Sequence, residues 1–198
     1  RECEGLVAAG HVTIAGAVVD DPFADVEPQG LVFGVRGESW PYHEHALLAM
    51  HKPPGHECSQ QPRHHPSVYG LLPAPLRRRN VQTVGRLDAD TPGLLLFTDD
   101  GALIHRLTSP KRHVPKVYEA GCKHPLDATQ LQRLRDGVTL LDDPRPVRAA
   151  AADATGVRAD GLHGLTLTLT DGRYHQVKRM VAAVGNRVES LHRSTFGA

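Results

Sequence analysis

Hydrophobic and polar residues alternate in several short stretches of the chain, and this alternation is typical of β-strands. In GLTLTLT, at residues 164–170, every second residue is apolar, which predicts a strand with one buried face. The runs ALLAMHK at 46–52 and LLLFT at 94–98 are largely apolar and predict buried strands. Further strands are predicted at HVTIAGAVV, LVFGV, VQTVGRLD and VPKVYEAGC.

A helical period replaces the alternation elsewhere. Between Tyr174 and Val184 the apolar residues recur at i, i+3, i+4 and i+7, and the polar residues occupy another face. Asp127 is placed to cap a helix over ATQLQRLRD, and Asp100 to cap a shorter helix over ALIHRLTS. Strands and helices do not alternate as a regular βαβ repeat, so the pattern predicts an α+β fold with a mixed or antiparallel sheet.

The chain is long enough, at 198 residues, for one ordinary domain and a small one. GESWPYHEH, at residues 37–45, separates a short strand-rich segment from the rest and is predicted to be a linker. We therefore expect a small unit over residues 1–38 and a larger one over 39–198. Because the sequence does not begin with Met, we also expect it to be part of a longer protein.

The net charge does not indicate a partner, because 23 Lys and Arg residues nearly balance 22 Asp and Glu residues. The distribution of charge is more informative. Residues 171–193 contain five Lys or Arg and two acids, and Arg77, Arg78 and Arg79 are consecutive. Basic patches of this kind suit the phosphates of a nucleic acid, although an ordinary solvated surface is an equally good interpretation.

Cysteine usage and hydropathy indicate the compartment. Cys3, Cys58 and Cys122 are odd in number, widely spaced and without a CxxC pair, which favours free thiols in a reducing cytoplasm. No apolar run approaches the about 20 residues that span a bilayer, so no membrane partner is expected.

Six histidines crowd the segment 43–65, together with Cys58, Glu44 and Glu57, a combination that can bind a metal. Their spacing matches neither HExxH nor a zinc finger. We therefore expect exposed loop residues there, some of them close to phosphate groups of a partner, and no bound metal.

A group of three charges lies next to a core-forming run. Arg86, Asp88 and Asp90 precede the apolar residues 94–97, where an unpaired charge lowers stability. Asp88 follows a predicted strand and precedes a Pro-Gly turn. It is therefore a candidate nucleophile, a general base or half of an ion pair with Arg86. Asp90 fits a polar residue of the turn.

Two later stretches offer further polar groups. Lys116 and Tyr118 project from the same side of a predicted strand, because side chains in a strand repeat with a period of two. GRYHQVKRM, at 172–180, places several donors at the first turns of a predicted helix. No spacing rule unites these stretches with Asp88, so the residues alone leave its role open.

Taken together, these stretches resemble a known family. GRLDADTPGLLLFTDDG, KVYEA and GRYHQVKRMVAAVGNRVESLHRS are similar, in this order, to the pseudouridine synthases of the ribosomal small subunit pseudouridine synthase A type. RECEGLVAAGHVTIAGAVVDDP, at the start, resembles the latter half of an S4 RNA-binding domain. The resemblance implies the catalytic fold of that family over residues 39–198, preceded by a small S4-like α/β domain that lacks its first part.

The resemblance also assigns roles to individual residues. It implies that Asp88 is the catalytic nucleophile, that Tyr118 stacks near the uracil and takes part in proton transfer, and that Lys178 pairs with Asp88. Leu191 is expected to line the uracil pocket, and Arg86 to fill the gap left by a flipped nucleotide. The remaining candidates for RNA contact are Lys116, Arg173, His175, Gln176 and Arg179.

The implied reaction is the isomerisation of uridine to pseudouridine in RNA, which needs no metal or other cofactor. The implied target is one uridine of small-subunit ribosomal RNA, uridine 516 of the 16S molecule, free or within a pre-ribosomal particle, and the protein is expected to be a monomer. Two alternatives stay open: a large-subunit target, and a non-catalytic RNA-binding factor for ribosome assembly. A carboxylate-based hydrolase is disfavoured, because it needs a second acid opposite Asp88 and Asp90 is too close in sequence.

Overall fold

Two units with separate sheets make up the chain in a computed structural model, which describes residues 2–141 and 143–197. The first unit ends at Ala46 and the second begins at Leu47. This division lies eight residues after the boundary predicted at residue 38.

The first unit consists of one short helix and a four-stranded sheet. The sheet has the order β2-β1-β3-β4, and all its neighbouring strands are antiparallel. The fourth strand lies in the segment that was predicted to be a linker, and its backbone pairs with the third strand from Val35 opposite Glu38 to Val32 opposite Pro41. The elements are α1 (Glu2–Ala8), β1 (Val12–Ile14), β2 (Ala17–Val18), β3 (Val32–Val35) and β4 (Glu38–Pro41).

The second unit is built on a seven-stranded mixed sheet. Its order is β11-β12-β8-β13-β7-β5, and β6 pairs with β7 in addition. All pairs are antiparallel except β13 with β7, which is parallel. The strands are β5 (Leu47–Lys52), β6 (Gln82–Thr83), β7 (Gly93–Thr98), β8 (Lys116–Cys122), β11 (Ala151–Val157), β12 (His163–Leu169) and β13 (Val188–Phe196). The mixed sheet confirms the predicted α+β class with a mixed sheet.

Helices and a two-stranded ribbon complete the second unit. The ribbon pairs β9 (Val138–Leu140) with β10 (Asp143–Val147). The helices are α2 (Ala74–Arg78), α3 (Gly101–Thr108), α4 (Ala128–Asp136) and α5 (Gln176–Ala183), with 3-10 turns at Val68–Leu71 and Pro110–Arg112. Within the described part of the chain, no helix is long and apolar enough to cross a membrane.

The core lies where α4 and α5 cover one side of the sheet. Leu165, Leu167 and Leu169 of β12 are buried in the same cluster as Met180 and Val181 of α5. The alternation of GLTLTLT and the helical period after residue 174 thus correspond to a strand and a helix that each bury an apolar face, as the sequence predicted. Burial of five such side chains is worth about 1.5–3 kcal/mol each before entropy is counted.

The stretch VQTVGRLD departs from its prediction. Only Gln82–Thr83 forms a strand, and Val84 adds a single backbone hydrogen bond to Leu96 at 2.8 Å. Gly85 then turns the chain with φ of 71°, a left-handed conformation that glycine adopts without strain. The residues up to Asp88 therefore form a loop, and this loop brings Asp88 to the edge of a pocket.

Candidate active site

A pocket of about 330 Å³ lies beside the start of β8, the end of β12 and the start of α5. The loop after β6 and strand β13 supply its other walls. Its size suits a small ring system. Eight of the ten residues proposed from the sequence line it: Arg86, Asp88, Lys116, Tyr118, Arg173, His175, Gln176 and Leu191.

The loop that carries Asp88 is folded around a buried ammonium group. Lys52, at the end of β5, is fully buried, and its Nζ donates to the carbonyl oxygens of Asp88 and Ala89 at 3.1 Å and of Thr91 at 3.2 Å. A fourth contact, to the carbonyl of Pro53, is 3.1 Å long. Burial lowers the pKa of Lys52, while the nearby thiol and carboxyl groups of Cys58, Asp90 and Asp88 act in the opposite direction.

Three further contacts hold the same loop. The Thr91 amide donates to the Asp88 carbonyl at 3.1 Å, and the Gly55 amide donates to the Ala89 carbonyl at 2.8 Å. The Leu87 amide donates to the Sγ of Cys58 at 3.4 Å, and burial raises the pKa of that thiol. The backbone on both sides of Asp88 is thus fixed before any ligand arrives, which is the preorganisation that a reactive group requires.

The carboxylate of Asp88 faces His175. The side chain of Asp88 is 31% exposed, and its Oδ1 lies 3.5 Å from Nε2 of His175. His175 precedes α5 in a left-handed conformation, with φ of 47°, and its ring stacks on the ring of Tyr174 with centroids 3.8 Å apart. This conformation is uncommon for a residue with a side chain, and its presence next to a carboxylate makes His175 a candidate functional residue.

Lys178 binds the neighbouring carboxylate instead. Its Nζ lies 2.6 and 2.9 Å from the two oxygens of Asp90, and the predicted pairing with Asp88 is not observed. Partial burial opposes ionisation of Asp90, but the hydrogen bonds and charge of Lys178 outweigh it, so the pKa of Asp90 is lowered. Asp90, which the sequence indicated only as a turn residue, is the anchor of Lys178.

Tyr118 and Leu191 form the apolar wall of the pocket. Tyr118 lies on β8 between Leu167 of β12 and Arg193 of β13 in the strand register. Lys116, one period earlier on β8, donates from Nζ to the Val114 carbonyl at 2.9 Å. Burial lowers the pKa of Lys116, and the charge of Arg193 lowers it further.

Polar residues at the start of α5 hold one another. The Arg173 amide donates to Oε1 of Gln176 at 2.7 Å, and Nε2 of Gln176 donates to Asp171 at 2.6 Å. Gln176 is buried, so its amide group supports the pocket wall from inside. The Arg173 guanidinium pairs with Asp143 at 2.5 Å.

Arg179 does not line the pocket. Its Nη1 donates to the carbonyl of Tyr174 at 2.9 Å, which ties α5 to the segment before it. The predicted contact of Arg179 with RNA stays a prediction.

Sequence reasoning missed three residues of the site. Lys52, Tyr174 and Arg193 were not proposed, although the first supports the Asp88 loop and the other two line the pocket. The alternation along β13 is the signal that could have found Arg193, because it places this residue on the same face as Leu191.

The histidine-rich segment is organised by a carboxylate. Glu57 accepts hydrogen bonds from the backbone amides of Arg63, His64 and His65, and these bonds, that of His64 foremost, lower the pKa of Glu57. Among the residues that the structure describes, no group of three or more His, Cys, Asp or Glu side chains could hold a metal ion.

The site as a whole defines a class of protein. A carboxylate on a fixed loop, a basic ring beside it and an aromatic wall with a phenolic hydroxyl meet at one pocket of a mixed sheet, which is an arrangement typical of an enzyme active site. Residues 46–183 match the family model of the RNA pseudouridylate synthases. The chain belongs to this family of isomerases, which convert uridine in RNA to pseudouridine.

Curated relatives and a solved structure agree with the family. The ribosomal small subunit pseudouridine synthase A of Yersinia pestis is 38% identical over 192 residues, which are 96% of this chain and 78% of that protein. An uncharacterised RNA pseudouridine synthase of Bacillus subtilis is 38% identical over 197 residues, 100% of this chain and 82% of that protein. A crystal structure of a pseudouridylate synthase is similar, with a TM-score of 0.68 at 32% identity over 98% of this chain and 80% of that chain.

Proposed function

We propose that the protein isomerises one uridine of small-subunit ribosomal RNA to pseudouridine, with Asp88 as the nucleophile. The single observation that carries the proposal is the carboxylate of Asp88 at the pocket, on a loop that Lys52 fixes through three carbonyls. The small-subunit target is supported by the similarity to the ribosomal small subunit pseudouridine synthase A of Yersinia pestis and by the likeness to that family in the sequence motifs. Within the 16S molecule, uridine 516 is the proposed position.

The reaction breaks the bond between C1′ of the ribose and N1 of the uracil and forms a bond from C1′ to C5. The uridine first leaves its stack, which costs a few kcal/mol, and enters the pocket. Asp88 then either attacks C1′ or removes a proton from the ribose, and in both routes uracil departs with the bonding electrons. Uracil turns and C5 bonds to C1′, which breaks the bond to Asp88 in the first route and is accompanied by return of the proton to the ribose in the second. C5 then loses its proton and N1 gains one.

Three of the predicted residues have proposed roles in this sequence of steps. The ring of Tyr118 offers a face for the uracil, and its hydroxyl can take part in moving the C5 proton. His175, whose Nε2 lies 3.5 Å from Oδ1 of Asp88, is proposed to orient the carboxylate. Arg86, which also lines the pocket, is proposed to occupy the stack that the uridine leaves.

The first unit and the basic segments are proposed to dock the RNA. The S4-like assignment of this unit comes from sequence resemblance, and its α1 helix and antiparallel sheet are compatible with a small RNA-binding module. Consecutive Arg77, Arg78 and Arg79 in the second unit add a basic cluster suited to phosphates. The substrate is proposed to be either free ribosomal RNA or a pre-ribosomal particle, bound by a monomer in the cytoplasm.

The test is pseudouridine mapping of ribosomal RNA after treatment with the protein and with Asp88→Asn. We expect the parent to modify one small-subunit uridine and Asp88→Asn to lose at least about a thousandfold in rate, since it keeps the shape but not the charge of the nucleophile. Asp160→Asn, which changes a carboxylate that pairs with Arg158 away from the pocket, is the matched control and is expected to react as the parent does.

Other outcomes identify the alternatives. Modification of large-subunit RNA alone would move the target to that subunit while keeping the chemistry. A parent that binds ribosomal RNA but forms no pseudouridine in either subunit would contradict the proposal in favour of an assembly factor.

A further inference from the structure

Arg193 of β13 is a buried cation in the wall of the pocket. The residue is 1% exposed, and its Nε donates to the Leu94 carbonyl at 2.8 Å. Its Nη2 is buried, and no described residue accepts a hydrogen bond from it. Because buried donors in proteins are almost always paired, an orphaned guanidinium nitrogen at a pocket requires an explanation.

The surroundings of Arg193 compensate its charge only in part. The guanidinium carbon lies 5.1 Å from the centroid of the Phe196 ring, a contact that stabilises a cation modestly. Nζ of Lys116 lies 5.4 Å from the same ring, so two cations approach one aromatic side chain. Repulsion between the two is seen in Lys116, whose pKa is lowered by burial and by the charge of Arg193. Two cations that share a half-buried wall favour an incoming anion or a polarised oxygen.

The position of Arg193 matches the step in which negative charge appears. Arg193 is the register neighbour of Tyr118 and lies one strand period from Leu191, the two residues assigned to the uracil. When the C1′–N1 bond breaks, the bonding electrons stay on the uracil, and the charge spreads over N1 and the two carbonyl oxygens. A fixed donor in a site of low dielectric stabilises such charge far more than water does.

We propose that Arg193 is a catalytic residue that donates a hydrogen bond from its guanidinium group to a carbonyl oxygen of the uracil and stabilises the uracil anion after the C1′–N1 bond breaks. This inference rests on the proposed function. Arg193 neither gains nor loses a proton in the step. The electron pair of the broken bond goes to the uracil, and the sugar is held by a new bond to Asp88 or as an unsaturated ribose until C5 attacks.

The experiment compares the parent with Arg193→Met and Arg193→Lys under single-turnover conditions on small-subunit ribosomal RNA. Met keeps the unbranched apolar stem of the side chain without charge or donors, and we expect the rate at saturating RNA to fall by about a hundredfold to a thousandfold with the RNA affinity little changed. Lys restores the charge and is expected to recover part of the rate. Arg135→Met removes a guanidinium that pairs with Asp153, outside both the pocket and the basic segments, and serves as the control that should react normally.

A second substrate separates a catalytic role from a structural one. In RNA that carries 5-fluorouridine, the departing base is a more stable anion because fluorine withdraws electrons. The rate of bond breaking therefore depends less on stabilisation by a nearby cation. The loss caused by Arg193→Met should therefore be smaller, by about tenfold, when the consumption of 5-fluorouridine is followed. A fall in the amount of folded protein lowers the rates on both substrates by the same factor. The ratio of the two rates therefore does not depend on the stability of the variant.

The results distinguish this inference from the proposed function. Equal losses on both substrates, or a loss of RNA affinity with an unchanged maximal rate, would assign Arg193 to folding or to phosphate binding and overturn the inference. A parent protein that forms no pseudouridine contradicts the proposed function itself. If the parent forms pseudouridine and the Arg193→Met variant does so at the same rate, only the role of Arg193 is contradicted.

Discussion

Two carboxylates that are two residues apart on one loop have different partners and different tasks. Asp88 faces His175 in the pocket, whereas Asp90 binds Lys178, and neither of these two residues lines the pocket. The sequence could predict that Asp88 belongs to the candidate active site, because the resemblance covers the residues around it, and Asp88 does line the pocket. It could not predict the partners, because they depend on the loop conformation, and that conformation is set by contacts with Lys52. His175 and Lys178, the partners of the two carboxylates, lie almost 90 residues further along the chain.

A double-mutant cycle tests the pairing of Lys178 with Asp90. We expect Lys178→Met and Asp90→Asn to be non-additive in the free energy of unfolding by about 0.3–1 kcal/mol at pH 7, because each removes the same largely exposed ion pair. The pKa of Asp90 is lowered in the folded protein. Its stabilisation is therefore present above the ordinary carboxyl pKa of about 4 and disappears as the pH falls through the lowered value.

The matched cycle pairs Lys178→Met with Asp88→Asn. These two changes should be additive within about 0.3 kcal/mol, since Lys178 does not reach Asp88 in the structure. Urea denaturation at neutral and acidic pH measures both cycles. Coupling of Lys178 with Asp88 and not with Asp90 would refute the observed arrangement.

Among the elements, those with a strong period were predicted and those set by tertiary contacts were not. The helix expected between Tyr174 and Val184 is observed at Gln176–Ala183, and GLTLTLT lies within and just beyond β12. β10 has the sequence DPRPV, whose two prolines argue against a strand, and it pairs only with β9 in a ribbon outside the main sheet. β5 was predicted to be buried, but it lies at the edge of the sheet and exposes Leu47.

The contact between β7 and β13 depends on a glycine. Gly93 has a φ of 124°, and a Cβ at this position would lie 2.6 Å from the amide nitrogen of Arg193. We expect Gly93→Ala to lower the free energy of unfolding by about 2–4 kcal/mol, because both the backbone conformation and the strand contact oppose a side chain. We also expect it to slow the reaction, since it displaces the backbone that carries Arg193. Thermal denaturation and single-turnover rates measure the two effects.

Gly101→Ala provides the control on the adjoining helix. Gly101 begins α3, and a Cβ there meets nothing within 4 Å. This change is expected to be neutral or stabilising by up to about 1 kcal/mol, because alanine favours a helix over glycine. Equal stability of the two glycine variants would contradict the close approach of β7 and β13.

At the scale of the whole molecule, each unit completes its own sheet. No strand of the first sheet pairs with a strand of the second in the described residues, and the family match begins at residue 46. The sequence indicated two units but placed the boundary too early, because the polar and aromatic stretch GESWPYHEH carries little alternation. Strand order was also beyond prediction, since it depends on pairings between segments far apart in the chain.

The independence of the two sheets predicts the behaviour of a fragment. A protein of residues 46–198 is expected to fold cooperatively and to retain the pocket, whereas its affinity for ribosomal RNA should fall if the first unit docks the substrate. Circular dichroism and thermal denaturation follow the fold, and filter binding follows the affinity. A fragment without a cooperative transition would show that the catalytic unit needs residues 1–45 for its stability.

The buried ammonium of Lys52 also has a consequence for the order of folding. It lies 36, 37 and 39 residues before the three carbonyls that it binds in the Asp88 loop. Closing a loop of this length costs chain entropy before the contact is made, so we expect this closure to form late in folding. A chain that already has its helices is then expected to lack the fixed Asp88 loop, and with it the complete pocket, until its tertiary structure has formed.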